Sequence, residues 1–241
     1  VEAQAKLAKV RVKIGYPSRW RDYAGLEIRA DDLVGNVMRA TRFEWQRQLA
    51  QLGGPVDRDE WLMTPQTVNA YYLPTANEIV FPAAILRPPF FHFDAEDAVN
   101  YGAIGSVIGH EISHGFDDKG REYDGDGRLR DWWTPEDAAA FGARTERLVA
   151  QYEAYRPLPD LGINGRLSLG ENIGDLSGLA IAWRAWRMSP GGREPPVLDG
   201  YTGEQRFFLG FAQIWRVSFR EAALREQLVT GPHPPGEYRA R

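Results

Sequence analysis

The stretch VIGHEISHGFDD, residues 107–118, constrains the fold more than any other part of this chain. Its histidines, His110 and His114, are four residues apart, and a helix turns that spacing into one shared face with the rings about one turn apart. Two imidazoles so placed can hold one metal ion, while Glu111 can reach a water on that ion without being a ligand itself. Only two other histidines exist, His92 and His233, and there is no cysteine. Any transition-metal site must therefore be completed by Asp or Glu.

The third ligand has a candidate on another helical run. GENIGD offers Glu171, with Asp175 four residues on and so on the same face. A metal-bound imidazole usually donates its other N–H to a carboxylate, and Asp175 is placed to accept it. Each half has a plainer reading. The His-Glu-x-x-His pattern recurs by chance, and Glu171 with Asp175 could be a solvated face. Yet the histidines sit between Ile108 and Phe116, where an unliganded imidazole pair is costly. Both halves together, in this order, favour zinc. An iron site of the oxygenase type uses the same ligand types, but it leaves Glu111 without a role. Asp124-Gly125-Asp126-Gly127 resembles the start of a calcium loop, but Pro135 stands where that loop needs its bidentate Glu. It reads as a turn.

Around these motifs the periodicity predicts helices over 27–52, with Asp31 and Asp32 near the start, and from Asp94 as N-cap to about Gly115. Further helices are expected over 134–155, capped by Thr134, after Ser168, and as one amphipathic run over 204–229. Residues 67–86 read as two short extended runs about the turn Pro74–Asn77, with Pro74 and Pro82 marking edge strands or strand ends. A Pro/Gly-rich loop covers 189–203. The expected fold is one α+β domain over 1–241, mostly α-helical. A net charge of −4 without long basic runs argues against a nucleic-acid surface. No apolar run approaches the roughly 20 residues that span a bilayer.

VNAYY, EIVFPAAILRPPFF, NYGAIGSVIGHEISHGFDDKG, DWW, LGENIGDLSGLAIAWRAW and FFLGFAQIW…HPPGEYR, in this order, resemble the neprilysin family of zinc endopeptidases. Endothelin-converting enzymes and bacterial oligopeptidase O belong to it. The likeness runs from about Lys9 to Arg239. It implies a zincin-like metallopeptidase catalytic domain with a small edge-strand sheet, one zinc per chain and peptide substrates. By resemblance His110, His114 and Glu171 are the zinc ligands, Glu111 is the catalytic base, and Asp175 orients the first histidine. His233 matches a transition-state histidine, and Arg239 an arginine that binds a substrate carbonyl. Asn69 and Ala70 match an edge strand that holds substrate backbone. Ile85, Phe90, Val107, Ile214 and Trp215 match the pocket for the residue after the scissile bond; their plain reading is core.

Three departures stand out. Ser106 replaces a pocket methionine, and Gly231 replaces an aspartate two residues before His233, which leaves open what orients that ring. Family chains are also much longer, carrying a large N-terminal helical portion that roofs the cavity and a short C-terminal tail. The expectation is a catalytic portion that contacts its missing N-terminal half or self-associates. The competing expectation is a weak or inert zinc-binding piece that recognises peptides. An extracytoplasmic location, whether periplasmic, secreted or a membrane-anchored ectodomain, is favoured over the cytoplasm.

Overall fold

The computed structural model describes residues 2–189 and 195–241. Part of the loop expected over 189–203 thus lies outside the described residues. The chain divides into two compact units, Val1–Gly15 with Pro65–Arg241, and Tyr16–Thr64.

The larger unit begins with α1 (Glu2–Ala8) and β1 (Arg11–Gly15). The two predicted extended runs are β2 (Tyr71–Leu73) and β3 (Glu78–Pro82), joined at the predicted turn. The sheet order is β1-β3-β2, with β1 parallel and β2 antiparallel to β3. Pro82 does end its strand, as expected, but β3 is the central strand and every residue of it is buried. Pro82 is tolerated there because it is the last residue of the ladder, opposite Gly15. β2 is the edge.

The helix expected from Asp94 starts later, as α3 (Asp97–Asn100) with Glu96 at its N-cap. A π-helical turn at Tyr101–Gly105 then feeds α4 (Ser106–His114), which ends at Gly115. Here the backbone passes so close to α7 (Gly203–Ile214) that a side-chain carbon on Gly102 would lie 1.9 Å from the Phe207 carbonyl oxygen. α5 (Pro135–Glu153) begins at Thr134, which accepts from the Asp137 N–H. α6 (Leu169–Met188) follows Ser168.

The single helix expected over 204–229 is broken into α7 and α8 (Glu221–Thr230). At the break the Trp215 carbonyl abuts Gly236, where a side-chain carbon would come within 2.1 Å. The short α9 (Gly236–Arg239) closes the chain. The main core lies among β3, α4 and α7, built from Ile79, Phe81, Ile104, Val107 and Phe211. A second cluster stacks Trp186 on Phe207.

The smaller unit consists of α2 (Leu33–Ala50) and its flanking loops. Asp32 caps α2 by accepting from Gly35 N–H, so the helix starts six residues after the predicted start.

Candidate metal centre

α4 and α6 meet where neither has a side chain to keep them apart. A carbon on Gly109 would lie 2.8 Å from Gly178 Cα, and one on Gly178 would lie 2.6 Å from the His110 nitrogen. A carbon on Gly174 would strike the His110 ring at 2.7 Å. This close crossing carries the α4 histidines to the first turn of α6, where Glu171 sits near the helix N-terminus that favours a carboxylate.

The two rings stand perpendicular, with centroids 4.5 Å apart. Each turns its Nδ1 away towards a carboxylate. His110 Nδ1 is 2.9 Å from Asp175 Oδ1, and His114 Nδ1 is 2.7 Å from Asp117 Oδ2. Both Nε2 atoms are thereby aimed at Glu171, at 3.3 Å and 3.8 Å from its two oxygens. One ligand atom from each of the three residues lies within 4.8 Å of the others.

These spacings suit zinc. Ligands about 2.0–2.1 Å from a tetrahedral ion stand about 3.4 Å from one another. Two buried carboxylate oxygens point the same way, for Glu171 Oε2 and Glu111 Oε2 have no hydrogen-bond partner among the described residues. His233 Nε2 does come within 3.0 Å of Glu171 Oε2, but without hydrogen-bond alignment.

The charges divide by environment. Burial alone would raise the Glu171 carboxyl, but His110, His233 and His114 outweigh it and hold it well below the usual carboxylate range. Asp175 behaves alike: burial opposes ionisation, while Arg239 and His110 keep it below the ordinary value. Glu111 goes the other way. Burial raises it, Glu171 adds to the effect, and the two histidines only partly offset it. Burial disfavours the His110 imidazolium, yet the neighbouring carboxylates of Asp175 and Glu171 lift it to about 9.

The remaining site candidates divide into those beside the cluster and those in the core. Arg239 grips Asp175 with two hydrogen bonds, of 2.6 Å and 2.7 Å, and its guanidinium lies 3.7 Å from the centre of the Trp215 ring. His233 has a half-exposed side chain, and its carbonyl accepts from Gln227 Nε2, so a glutamine one turn back holds this segment where Gly231 cannot. Asn69, exposed, and Ala70, buried, immediately precede the edge strand β2. Ile85, Phe90, Val107, Ile214 and Trp215 all belong to the main core cluster. His92 is exposed and far from this chemistry in its bonding, which is to Asn100 and Asp94.

Sequence reasoning missed Asp117. Its signal was available: an aspartate three residues after His114, just beyond the helix end. The glycines at 109, 174 and 178 were also legible only as helix weakeners, and not as the contact that brings the ligands together.

A profile of peptidase family M13 matches residues 69–241, well over half of the chain. The chain belongs to peptidase family M13. Endothelin-converting enzyme 1 of Mus musculus is 43% identical over 247 residues, covering 98% of this chain and 32% of that enzyme. Among solved M13-like structures, the Mycobacterium tuberculosis zinc metalloprotease Zmp1 bound to an inhibitor superposes with a TM-score of 0.97 at 56% identity, covering 99% of this chain and 37% of Zmp1. PepO from Lactobacillus rhamnosis gives 0.89 at 36% identity, covering 99% and 37% respectively. The chain therefore spans about a third of the length of these M13 relatives. The expected kinship and the mostly helical, zincin-like fold are borne out. Family and donor set agree on zinc as cofactor, which His110, His114 and Glu171 fit. No helix among the described residues is long and apolar enough to cross a membrane.

Proposed function

We propose that this chain is the catalytic portion of a zinc endopeptidase that hydrolyses short peptides on the amino side of hydrophobic residues. One observation carries the reading. Two imidazole Nε2 atoms and the Glu171 carboxylate converge, each Nδ1 is held by a carboxylate, and Glu111 lies buried beside them with an unpaired oxygen.

Zinc bound there would supply Lewis-acid polarisation of the peptide carbonyl and of the attacking water. Glu111 takes the proton from that water and delivers it to the leaving amine. Its raised carboxyl pKa suits both transfers, because a base nearer the working pH is also a competent acid. His233 stands half exposed with its Nε2 3.0 Å from Glu171 Oε2, where a donor can meet a developing oxyanion. Removing one such donor costs about 10²–10³ in rate. Asp175 fixes the His110 tautomer, and Arg239 fixes Asp175 while its remaining donors can meet a substrate carbonyl.

Peptide recognition has a natural rail. β2 is a sheet edge, and Asn69 and Ala70 extend it, so an extended peptide can add as a further strand. Ile85, Phe90, Val107, Ile214 and Trp215 supply the apolar surface for the side chain after the cut. The enzyme acts in an extracytoplasmic compartment, and it contacts either further segments of its own precursor or a second copy of itself.

A second reading follows from the share of the relatives that the chain covers. With about a third of their length, the piece could bind zinc and peptide yet turn over weakly. Two variants test both readings against a quenched peptide. His114→Phe should abolish binding of about one zinc per chain; undiminished zinc content refutes the ligand set. If the zinc-loaded chain gives no turnover above Glu111→Gln, the catalytic reading falls and the binding reading stands.

A further inference from the structure

Lys6 is the most conspicuous charge outside the donor set. It lies on α1, only 2% exposed. Its ammonium donates to three backbone carbonyls, those of Gly115 at 2.5 Å and of Gly120 and Tyr123 at 2.7 Å. Three donors meet three acceptors, with the rings of Tyr72, Phe116 and Trp132 packed round the charge at 5.4–5.9 Å. Burial pushes the group down to about 8, with Asp117 and Asp124 pulling the other way, so it carries its charge and all three protons at neutral pH.

The acceptors share one segment, the loop that follows α4, and this loop carries Asp117. Asp117 Oδ2 meets His114 Nδ1, while its Oδ1 accepts from the N–H groups of Lys119 and Gly120. Gly120 is thus held by Asp117 through its N–H and by Lys6 through its carbonyl. The loop is folded hard against the last turn of α4, for a carbon on Gly120 would sit 1.7 Å from the His114 carbonyl oxygen. Lys6 is itself anchored, since its own carbonyl accepts from Asn77 Nδ2 at the β2–β3 turn. A continuous chain of bonds runs from that turn through Lys6 and Gly120 to Asp117 and the imidazole of His114.

We propose that Lys6 is a positioning residue of the metal centre. Its ammonium sets the 115–123 loop so that Asp117 holds His114 with Nε2 aimed at the metal. An apolar residue of equal length would leave the Gly115 carbonyl without its donor and weaken the hold on those of Gly120 and Tyr123, which would keep only the Tyr123 N–H and Trp132 Nε1. The loop would shift to rehydrate the freed carbonyl, taking Asp117 with it. Arginine keeps the charge, but its planar fork does not converge on three carbonyls as an ammonium does.

The inference rests on His114 being a zinc ligand, and the test separates the two. The 241-residue chain is compared with Lys6→Met, Lys6→Arg, Asp117→Asn and the double variant Lys6→Met/Asp117→Asn. The readouts are zinc affinity by chelator competition, the visible spectrum of the cobalt(II)-substituted protein, and the metal-free melting temperature. Lys6→Met should weaken zinc binding about 10- to 100-fold, the usual effect of losing an outer partner. It should shift the cobalt bands as Asp117→Asn does, and the double variant should lose little more than either single one. Lys6→Arg should keep the fold and give an intermediate shift.

If Lys6→Met melts lower but keeps the parental zinc affinity and cobalt spectrum, Lys6 serves the fold alone and the proposal is overturned. Additive losses in the double variant overturn it as well. Should Lys6→Met fail to fold, Lys6→Arg decides by the same two readouts, and failure of both to fold also counts against a positioning role. Undiminished zinc binding by His114→Phe would instead remove the premise.

Discussion

Asp175 is shared by two partners: His110 Nδ1 meets its Oδ1 at 2.9 Å, and Arg239 spans both of its oxygens. One carboxylate therefore orients a ligand and neutralises a guanidinium buried beside it. Asp175→Ala should weaken zinc binding about 10- to 100-fold. It should also lower the melting temperature, because the buried Arg239 loses both of its hydrogen bonds and keeps only Glu171, at 3.7 Å, as a counter-charge. Asp175→Asn should recover part of the stability and less of the affinity. Titration against a chelator and thermal melts check this, and parental values for both variants would contradict it.

Glu111 has no ligand role in this geometry, since its neighbours occupy the converging positions. Glu111→Gln should retain zinc at parental affinity and lose nearly all peptide hydrolysis. Metal content by mass spectrometry or atomic absorption, beside the peptide assay, separates base from ligand. Loss of zinc from this variant would show that Glu111 coordinates.

Zinc uptake should expel protons. In the metal-free protein His110 is lifted to about 9 and His114 is also raised, its burial outweighed only by Asp117, Glu111 and Glu171 together. Zinc needs both imidazoles unprotonated. Below about 9 a proton competes for His110, so apparent affinity should fall as pH falls and rise towards alkaline pH. Calorimetry at pH 7 in buffers of different ionisation enthalpy should give about one to two protons released per zinc. A buffer-independent heat would refute the expected protonation.

Gly174→Ala tests the helix crossing. The added carbon lies 2.7 Å from His110 Nδ1 and Cε1, so helix or ring must move. Overpacking of this kind costs about 1–3 kcal/mol, and zinc affinity should fall with stability. Gly142→Ala, where the added carbon meets nothing within 4 Å, is the control and should be neutral or slightly stabilising. Equal behaviour of the two would mean that the crossing is slack.

The donor set was legible because helix geometry converts an i, i+4 spacing into a shared face without any knowledge of the fold. The same rule placed Asp175 with Glu171. What the spacing could not give was the partner of each helix. Arg239 on Asp175, Lys6 on Gly115 and the Gly109–Gly178 contact join residues far apart in sequence, and no local period encodes them. β1 drew no expectation for a related reason: it is a strand through its pairing with β3, more than sixty residues away in sequence. At the break between α7 and α8 the Trp215 carbonyl lies against Gly236, again a contact between separated residues that no local period encodes.

The separation of these parts also orders their appearance during synthesis. The two histidines leave the ribosome as an incomplete, bidentate pair. Glu171 and Asp175 follow about sixty residues later, which at about 5–20 residues per second is several seconds. Arg239, which locks Asp175, comes later still. A nascent chain thus offers any passing metal ion a weak two-nitrogen grip well before the zinc-selective pocket exists, and the fidelity of metal loading is settled only when the last turn has docked.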